Sequence, residues 1–291
     1  MGAITRLKTV EVVANIASGS VGPAAPAEIE KILHDFGLSP HVRTPEPGEL
    51  GTSLRAAVDA APDLLIVLAG DGTARAAAEL CGPDGPVIAP LPGGTMNMLP
   101  HAIYGPRPWQ VALSLALEQG FERPIGGGEV EGHSFLVAAI FGSPALWAPA
   151  REAARYRKLK LAWLRARRAM RRAFSGRLRY ILDNGPREKA EALVFMCPLT
   201  SRVMSSDAGA LEAAALDVKD VAAAFRLGFH ALTGDWRDAP GVEVAPCKVA
   251  RVWSAHGIPA ILDGESVRLR SLAEVRFNPK VARILAIPKD A

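Results

Sequence analysis

Leu64-Leu65-Ile66-Val67-Leu68-Ala69-Gly70-Asp71-Gly72-Thr73 is the stretch whose reading decides the fold. An unbroken apolar run of this length is the signature of a strand buried on both faces, as in a parallel sheet covered by helices. The glycines after it let the backbone turn sharply and approach a ligand. The helix-forming run 74–80 then offers free N–H groups and the positive end of its dipole. That combination suits a phosphate. Taken alone, Gly-Asp-Gly-Thr reads equally well as a tight strand-to-helix turn with Thr73 as the N-cap.

A second turn of the same kind weighs against the plainer reading. The apolar run 87–91 leads into Pro92-Gly93-Gly94-Thr95-Met96-Asn97, one strand-and-helix unit further on. If the two strands are neighbours, both Gly-Thr turns open at the same edge and can grip one polyphosphate. A third turn, Asn15-Ile16-Ala17-Ser18-Gly19-Ser20, ends the apolar run that begins the chain. Neither Gly-x-x-x-x-Gly-Lys-[Ser/Thr] nor Gly-x-Gly-x-x-Gly occurs, so a P-loop and the usual dinucleotide fingerprint are both excluded. The spacing predicts strands at 10–15, 64–68 and 87–91, and helices at 24–36, 50–60, 73–80, from 96 and at 108–119. This alternation makes residues 1–123 an α/β domain with an open, mostly parallel sheet.

Past Gly126-Gly127-Gly128 the texture becomes β-like, with strands expected at 134–140, 177–182, 192–196, 248–253 and 260–262. Residues 124–291 are therefore expected to form a second, mainly antiparallel β domain, with helical inserts at 150–173 and 217–232. The C-terminal tail has the option of returning to the first domain. The 291 residues match two domains, and 49% hydrophobic with 22% charged residues is a globular composition. Cys81, Cys197 and Cys247 are odd in number and far apart, which argues against a disulfide framework and a zinc site. No secretory leader can be read at the N-terminus. The run 134–150 is short for a membrane span and carries Gly142, Pro144 and Pro149. A cytoplasmic location is expected.

The net charge of +4 is small but clustered. Residues 151–179 are dense in Lys and Arg, with Glu152 their one acid. Tyr156, Leu159, Trp163, Ala166, Met170 and Phe174 recur at three- and four-residue steps, giving an apolar stripe on a basic helix near 150–174. Arg157, Lys158, Lys160, Trp163, Arg167, Arg168, Arg171 and Phe174 are the residues expected to meet an anionic membrane surface. The alternative packs that stripe on the β domain and leaves the cations in water. No nucleic-acid recognition motif accompanies the charge.

Four motifs in order resemble the diacylglycerol kinase catalytic family, which includes bacterial diacylglycerol kinases, sphingosine kinases and ceramide kinases. They are Asn15 to Gly19, Ala69 to Thr73, Pro92 to Asn97 and Asp263-Gly264-Glu265. The resemblance implies a Rossmann-like N-terminal domain, a β-sandwich C-terminal domain, and a peripheral lipid kinase at the inner face of the cell membrane, using ATP and Mg2+ to phosphorylate a primary lipid hydroxyl. It implies nucleotide contacts at Asn15, Ser18, Gly19, Thr44, Gly70, Asp71, Gly72, Thr73, Gly94, Thr95 and Asn97. Metal ligands are implied at Asp71 and Asp207, Asp263 as general base, and Glu265 as its support or substitute. Without the resemblance, Asp263-Gly264 reads as a hairpin turn. The chain departs from the family pattern at Arg75-Ala76, Met98 and Gly126, where Asn-Glu, Asp and Asp are usual. Two other readings stay open: a soluble NAD kinase-like enzyme, and a catalytically silent lipid- or nucleotide-binding homologue. The sequence names neither the lipid nor the oligomeric state.

Overall fold

The structure is a computed structural model that describes residues 7–142, 145, 178–201, 209–216 and 241–288. The expected helices at 150–173 and 217–232 lie outside the described residues. The elements run β1 (Val10–Ala14), α1 (Ala25–Asp35), β2 (Pro40–Arg43), α2 (Leu50–Asp59), β3 (Leu64–Ala69), α3 (Asp71–Cys81), β4 (Val87–Pro92), α4 (Met98–Tyr104) and α5 (Trp109–Gln119). They continue through β5 (Phe121–Val130), β6 (His133–Phe135), β7 (Ala138–Gly142), β8 (Leu178–Leu182), β9 (Glu188–Ala190), β10 (Ala192–Met196) and β11 (Leu211–Leu216). The chain closes with β12 (Val242–Cys247), β13 (Val249–Trp253), β14 (Ile258–Leu262), β15 (Glu265–Leu269) and β16 (Leu272–Ala286). Two compact units result: Met1–Gly126 with Pro279–Ala291, and Gly127–Asn278.

In the first unit the strand order is β2-β1-β3-β4, all parallel, with the last part of β16 beside β4 through Ile284 and Ile88. Every residue of β3 is buried, as its unbroken apolar run requires. Helix α1 has Pro26 in its first turn and places Ala25, Ile29 and Leu33 inward at four-residue steps. Helix α3 buries Ala74, Ala77, Ala78 and Cys81. Its N-cap is Gly70, not Thr73, whose N–H donates to the Gly70 carbonyl at 3.0 Å.

In the second unit a six-stranded antiparallel sheet runs β12-β11-β10-β7-β14-β15, and the start of β16 pairs with β13, which pairs with β8 and then β9. Between them lies a core that includes Phe141, Phe195, Leu211, Val252 and Val275. Phe141 and Phe195 meet edge to face at 5.3 Å. The strand expected at 134–140 is in fact two, β6 and β7. The amides of Leu136, Val137 and Ala138 are turned onto the Asp263 carboxylate at 2.7, 2.9 and 3.0 Å, which interrupts the strand. The glycine run at 126–128 lies within strand β5. A Cβ on Gly128 would lie 1.9 Å from the Phe135 ring, so the glycine makes room for that ring.

Candidate functional site

The C-terminal ends of β1, β2, β3 and β4 share one rim of the first unit's sheet, because these strands are parallel neighbours. Four sequence-predicted groups lie on that rim: Asn15, Ser18 and Gly19 after β1, Thr44 after β2, Gly70 to Thr73 after β3, and Gly94 to Asn97 after β4. The β3–β4 ladder runs from Leu64 opposite Val87 to Ala69 opposite Pro92, so the two glycine turns leave the sheet side by side.

Three of these turns interlock. The Asn15 N–H donates to the Leu68 carbonyl at 3.0 Å, and the Gly93 N–H to the Ala69 carbonyl at 3.1 Å. The Ser20 N–H reaches the Gly93 carbonyl at 3.2 Å and the Ser20 hydroxyl the Gly94 carbonyl at 2.8 Å. A Cβ on Gly94 would lie 2.7 Å from the Gly70 Cα, and one on Gly19 would lie 3.3 Å from the Thr95 hydroxyl oxygen. Only glycine at position 94 allows the β3 and β4 turns to touch in this way. Ser20 and Gly93 belong to this lock although the motif reading passed over them. Ser20 is in the quoted β1 turn, and its position beside Ser18 was the available signal.

Asn97 adopts the left-handed conformation at φ 51 and is buried. Its Oδ1 accepts from the Gly94 N–H at 2.7 Å and its Nδ2 donates to the Gly94 carbonyl at 3.0 Å, so the side chain is spent on shaping the turn. Asp71 has a comparable duty. Its Oδ1 accepts the Leu99 N–H at 3.0 Å, tying the start of α4 to the start of α3. Among the described residues no side chain caps the N-terminus of α3. Its first amides and its dipole therefore face the rim with affinity for an anion. Ile16, Met96 and Met98 stand exposed around the turns.

Among the described residues no group of three His, Cys, Asp or Glu could hold a metal ion. Asp71 is the carboxylate that the turns contribute. A single carboxylate fits Mg2+ carried mainly by nucleotide phosphates and water, and does not fit an all-protein cage. Asp207 lies outside the described residues. So do Arg157, Lys158, Lys160, Trp163, Arg167, Arg168, Arg171 and Phe174.

Asp263 belongs to the second unit. With Gly264 it forms the two-residue turn between β14 and β15, at φ 48 and φ 89, and Leu262 pairs with Glu265. Both residues at positive φ make the turn the type that matches strand twist. The carboxylate accepts the three amides of residues 136–138, and the Asp263 N–H donates to the Ala138 carbonyl at 2.9 Å. Burial first, and then the Asp263 charge, push the neighbouring Cys197 thiol well above its usual range. Glu265 opens β15 and is exposed.

Residues 9–129 match the model of the diacylglycerol kinase catalytic domain. No curated protein matches the chain. Among solved structures, a diacylglycerol kinase from Bacillus anthracis strain Sterne superposes with a TM-score of 0.68 at 15% identity, covering 97% of this chain and 98% of that one. Two candidate diacylglycerol kinases from the same strain reach a TM-score of 0.73 at 17% and 18% identity, with the same coverage. At such identities the likeness establishes the fold. Among the described residues no helix is long and apolar enough to cross a membrane.

Proposed function

We propose that this chain, whose residues 9–129 match the model of the diacylglycerol kinase catalytic domain, is a lipid kinase. It transfers the γ-phosphate of ATP to the primary hydroxyl of a diacylglycerol, ceramide or sphingoid base at an anionic membrane surface. The observation that carries the reading is the lock between the β1, β3 and β4 turns beside the uncapped N-terminus of α3.

Phosphoryl transfer depends on positioning and on charge stabilisation more than on covalent chemistry by the protein. The Asp71 and Gly72 amides at the start of α3 bind phosphate oxygens, the Thr73 and Ala74 amides being held by the Gly70 carbonyl. The Thr73 and Thr95 hydroxyls add donors, and Asn97 holds the Gly94 turn in the shape that binding requires. Mg2+, when bound, neutralises charge on the phosphates, and Asp71 is the residue to hold it. Asp263 takes the proton of the attacking hydroxyl in this reading, with its orientation fixed by the three amides it accepts. Glu265 supports it or takes its place.

The test is incubation of the protein with radiolabelled ATP, Mg2+ and a total lipid extract, followed by identification of the labelled product. A phosphorylated diacylglycerol, ceramide or sphingoid base is expected. Label appearing on NAD instead would assign the chain to soluble small-molecule kinases. ATP binding without any labelled product would make it a silent homologue, a reading favoured by Met98, Ala76 and Gly126 at positions where acids are usual.

A further inference from the structure

We infer that a second surface of this chain docks on an anionic lipid bilayer: the face of β9, β8, β13 and the start of β16 that points away from the second unit's core. The inference rests on the lipid-kinase reading for the nature of the partner, and on the register of these strands for the surface itself.

Strand pairing places the residues. Lys189 lies opposite Arg179, Arg179 opposite Trp253, and Trp253 opposite Leu272, which forms one row across four strands. In the next row Ile181 lies opposite Arg251 and Arg251 opposite Glu274. In the third Val249 lies opposite Arg276. Alternation along the strands turns their neighbours Tyr180, Ala250, Val252, Ala273 and Val275 into the core, so these three rows share the opposite face. The Arg251 and Arg276 side chains are 60% and 67% exposed, and Leu272 is 52% exposed.

The composition of this face selects its partner. Glu274 is its one acid among these paired positions, and it is already shared between Arg251, at 3.0 Å, and Arg276. Arg179, Arg187 and Lys189 add cations that it does not neutralise. A large exposed Leu beside a Trp among Arg and Lys is the arrangement of an interfacial anchor: cations meet lipid phosphates while the apolar groups enter the headgroup layer. A nucleic acid is less well suited. The Arg187 guanidinium lies 5.2 Å from the centre of the Trp253 ring and occupies a stacking face that a base would use.

The test is co-sedimentation of the full chain with phosphatidylcholine vesicles containing about one-third phosphatidylserine, against vesicles of phosphatidylcholine alone. Binding to the anionic vesicles is expected, weakened about fivefold for each charge removed in Arg251→Gln and Arg276→Gln. Those substitutions leave the basic segment 151–179 untouched, so a loss assigns binding to this face. Glu274→Gln is expected to strengthen binding, a change of sign that general destabilisation would not produce. Unchanged binding in all three variants overturns the inference, as does a parent chain that ignores anionic vesicles. Weakened binding to a single-stranded oligonucleotide with vesicle binding intact also overturns it. The same variants assayed on lipid in detergent micelles keep the two readings apart. Equal micellar turnover with lost vesicle binding supports both, whereas vesicle binding that behaves as expected with no turnover in any assay keeps the docking face and removes the kinase.

Discussion

Gly94 is the residue at which the candidate site is most easily broken. Adding a methyl group there brings a Cβ to 2.7 Å from the Gly70 Cα, and real carbons do not approach so closely. The β4 turn must then separate from the β3 turn while the strands below remain paired. Gly94→Ala is expected to lower phosphoryl transfer about a hundredfold with little change in melting temperature, since small displacements at a reacting centre have effects of that order. Steady-state kinetics and a thermal melt check this together. Asp63 offers a residue-scale test of the fold alone. Its Oδ2 accepts the Lys8 and Thr9 N–H groups at 2.7 and 2.9 Å and the Thr9 hydroxyl at 3.1 Å. The Thr9 amide first, and then the Lys8 amide, hold its carboxyl below the ordinary value of 3.8. A lowered native pKa means that the stabilisation is complete above the unfolded value and is lost as pH falls through the native one. The site is solvated, so the contribution is about 1 kcal/mol or less. Asp63→Asn should melt below the parent at neutral pH and converge with it in acid. A gap that persists below the native pKa would show that the charge is not the cause.

The hairpin of β14 and β15 joins a structural and a chemical role in one residue. Asp263 occupies a left-handed turn position and supplies the acceptors that Leu136, Val137 and Ala138 need in place of a strand ladder. Removing a charged acceptor from three amides costs about 3 kcal/mol or more, so Asp263→Ala should lower the melting temperature markedly. Asp263→Asn keeps the turn and one acceptor oxygen. If Asp263 also accepts the substrate proton, Asn should abolish turnover at temperatures well below its own melt, whereas a purely structural Asp263 would leave turnover intact there. The division of β6 from β7 was invisible in the sequence for the same reason, since Leu136 and Val137 are apolar and their partner is more than a hundred residues away. Runs with an unbroken local period, β3 and α1, were legible because their own pattern fixes their state. β2, β5, β9, β11, β12 and β16 were not read, since short, alanine-rich or proline-interrupted segments gain their strand identity from the ladder that receives them. At the candidate site the glycine turns and their order were legible. The Ser20 contacts, the exchange between Asn97 and Gly94, and the Asp71 hold on Leu99 arise only when the strands are neighbours.

At the scale of the molecule the first unit is assembled from both ends of the chain. Val281, Ala282, Ile284, Leu285 and Ala286 are buried, and Ile284 pairs with Ile88 to continue the parallel sheet past β4. The buried Tyr104 hydroxyl donates to the Leu285 carbonyl at 2.8 Å, and burial pushes that phenol well above its usual range. Arg283 donates to Glu122 at 2.7 Å and to the Gly85 carbonyl, while the exposed pair of Lys280 and Asp84 adds little. Truncation before Pro279 would take these apolar groups away at about 1.5–3 kcal/mol for each large side chain. It would also orphan the Tyr104 hydroxyl at about 1–3 kcal/mol. The total is comparable with the whole stability of a domain, about 5–15 kcal/mol. A chain ending at residue 278 should therefore lose amide-exchange protection along β1, β3 and β4, and with it the rim on which the glycine turns meet. Retained protection on those strands would mean that the first 126 residues close their own core. Loss of protection, recovered on adding a peptide of residues 279–291, would establish that the phosphate-binding turns depend on the returning end of β16.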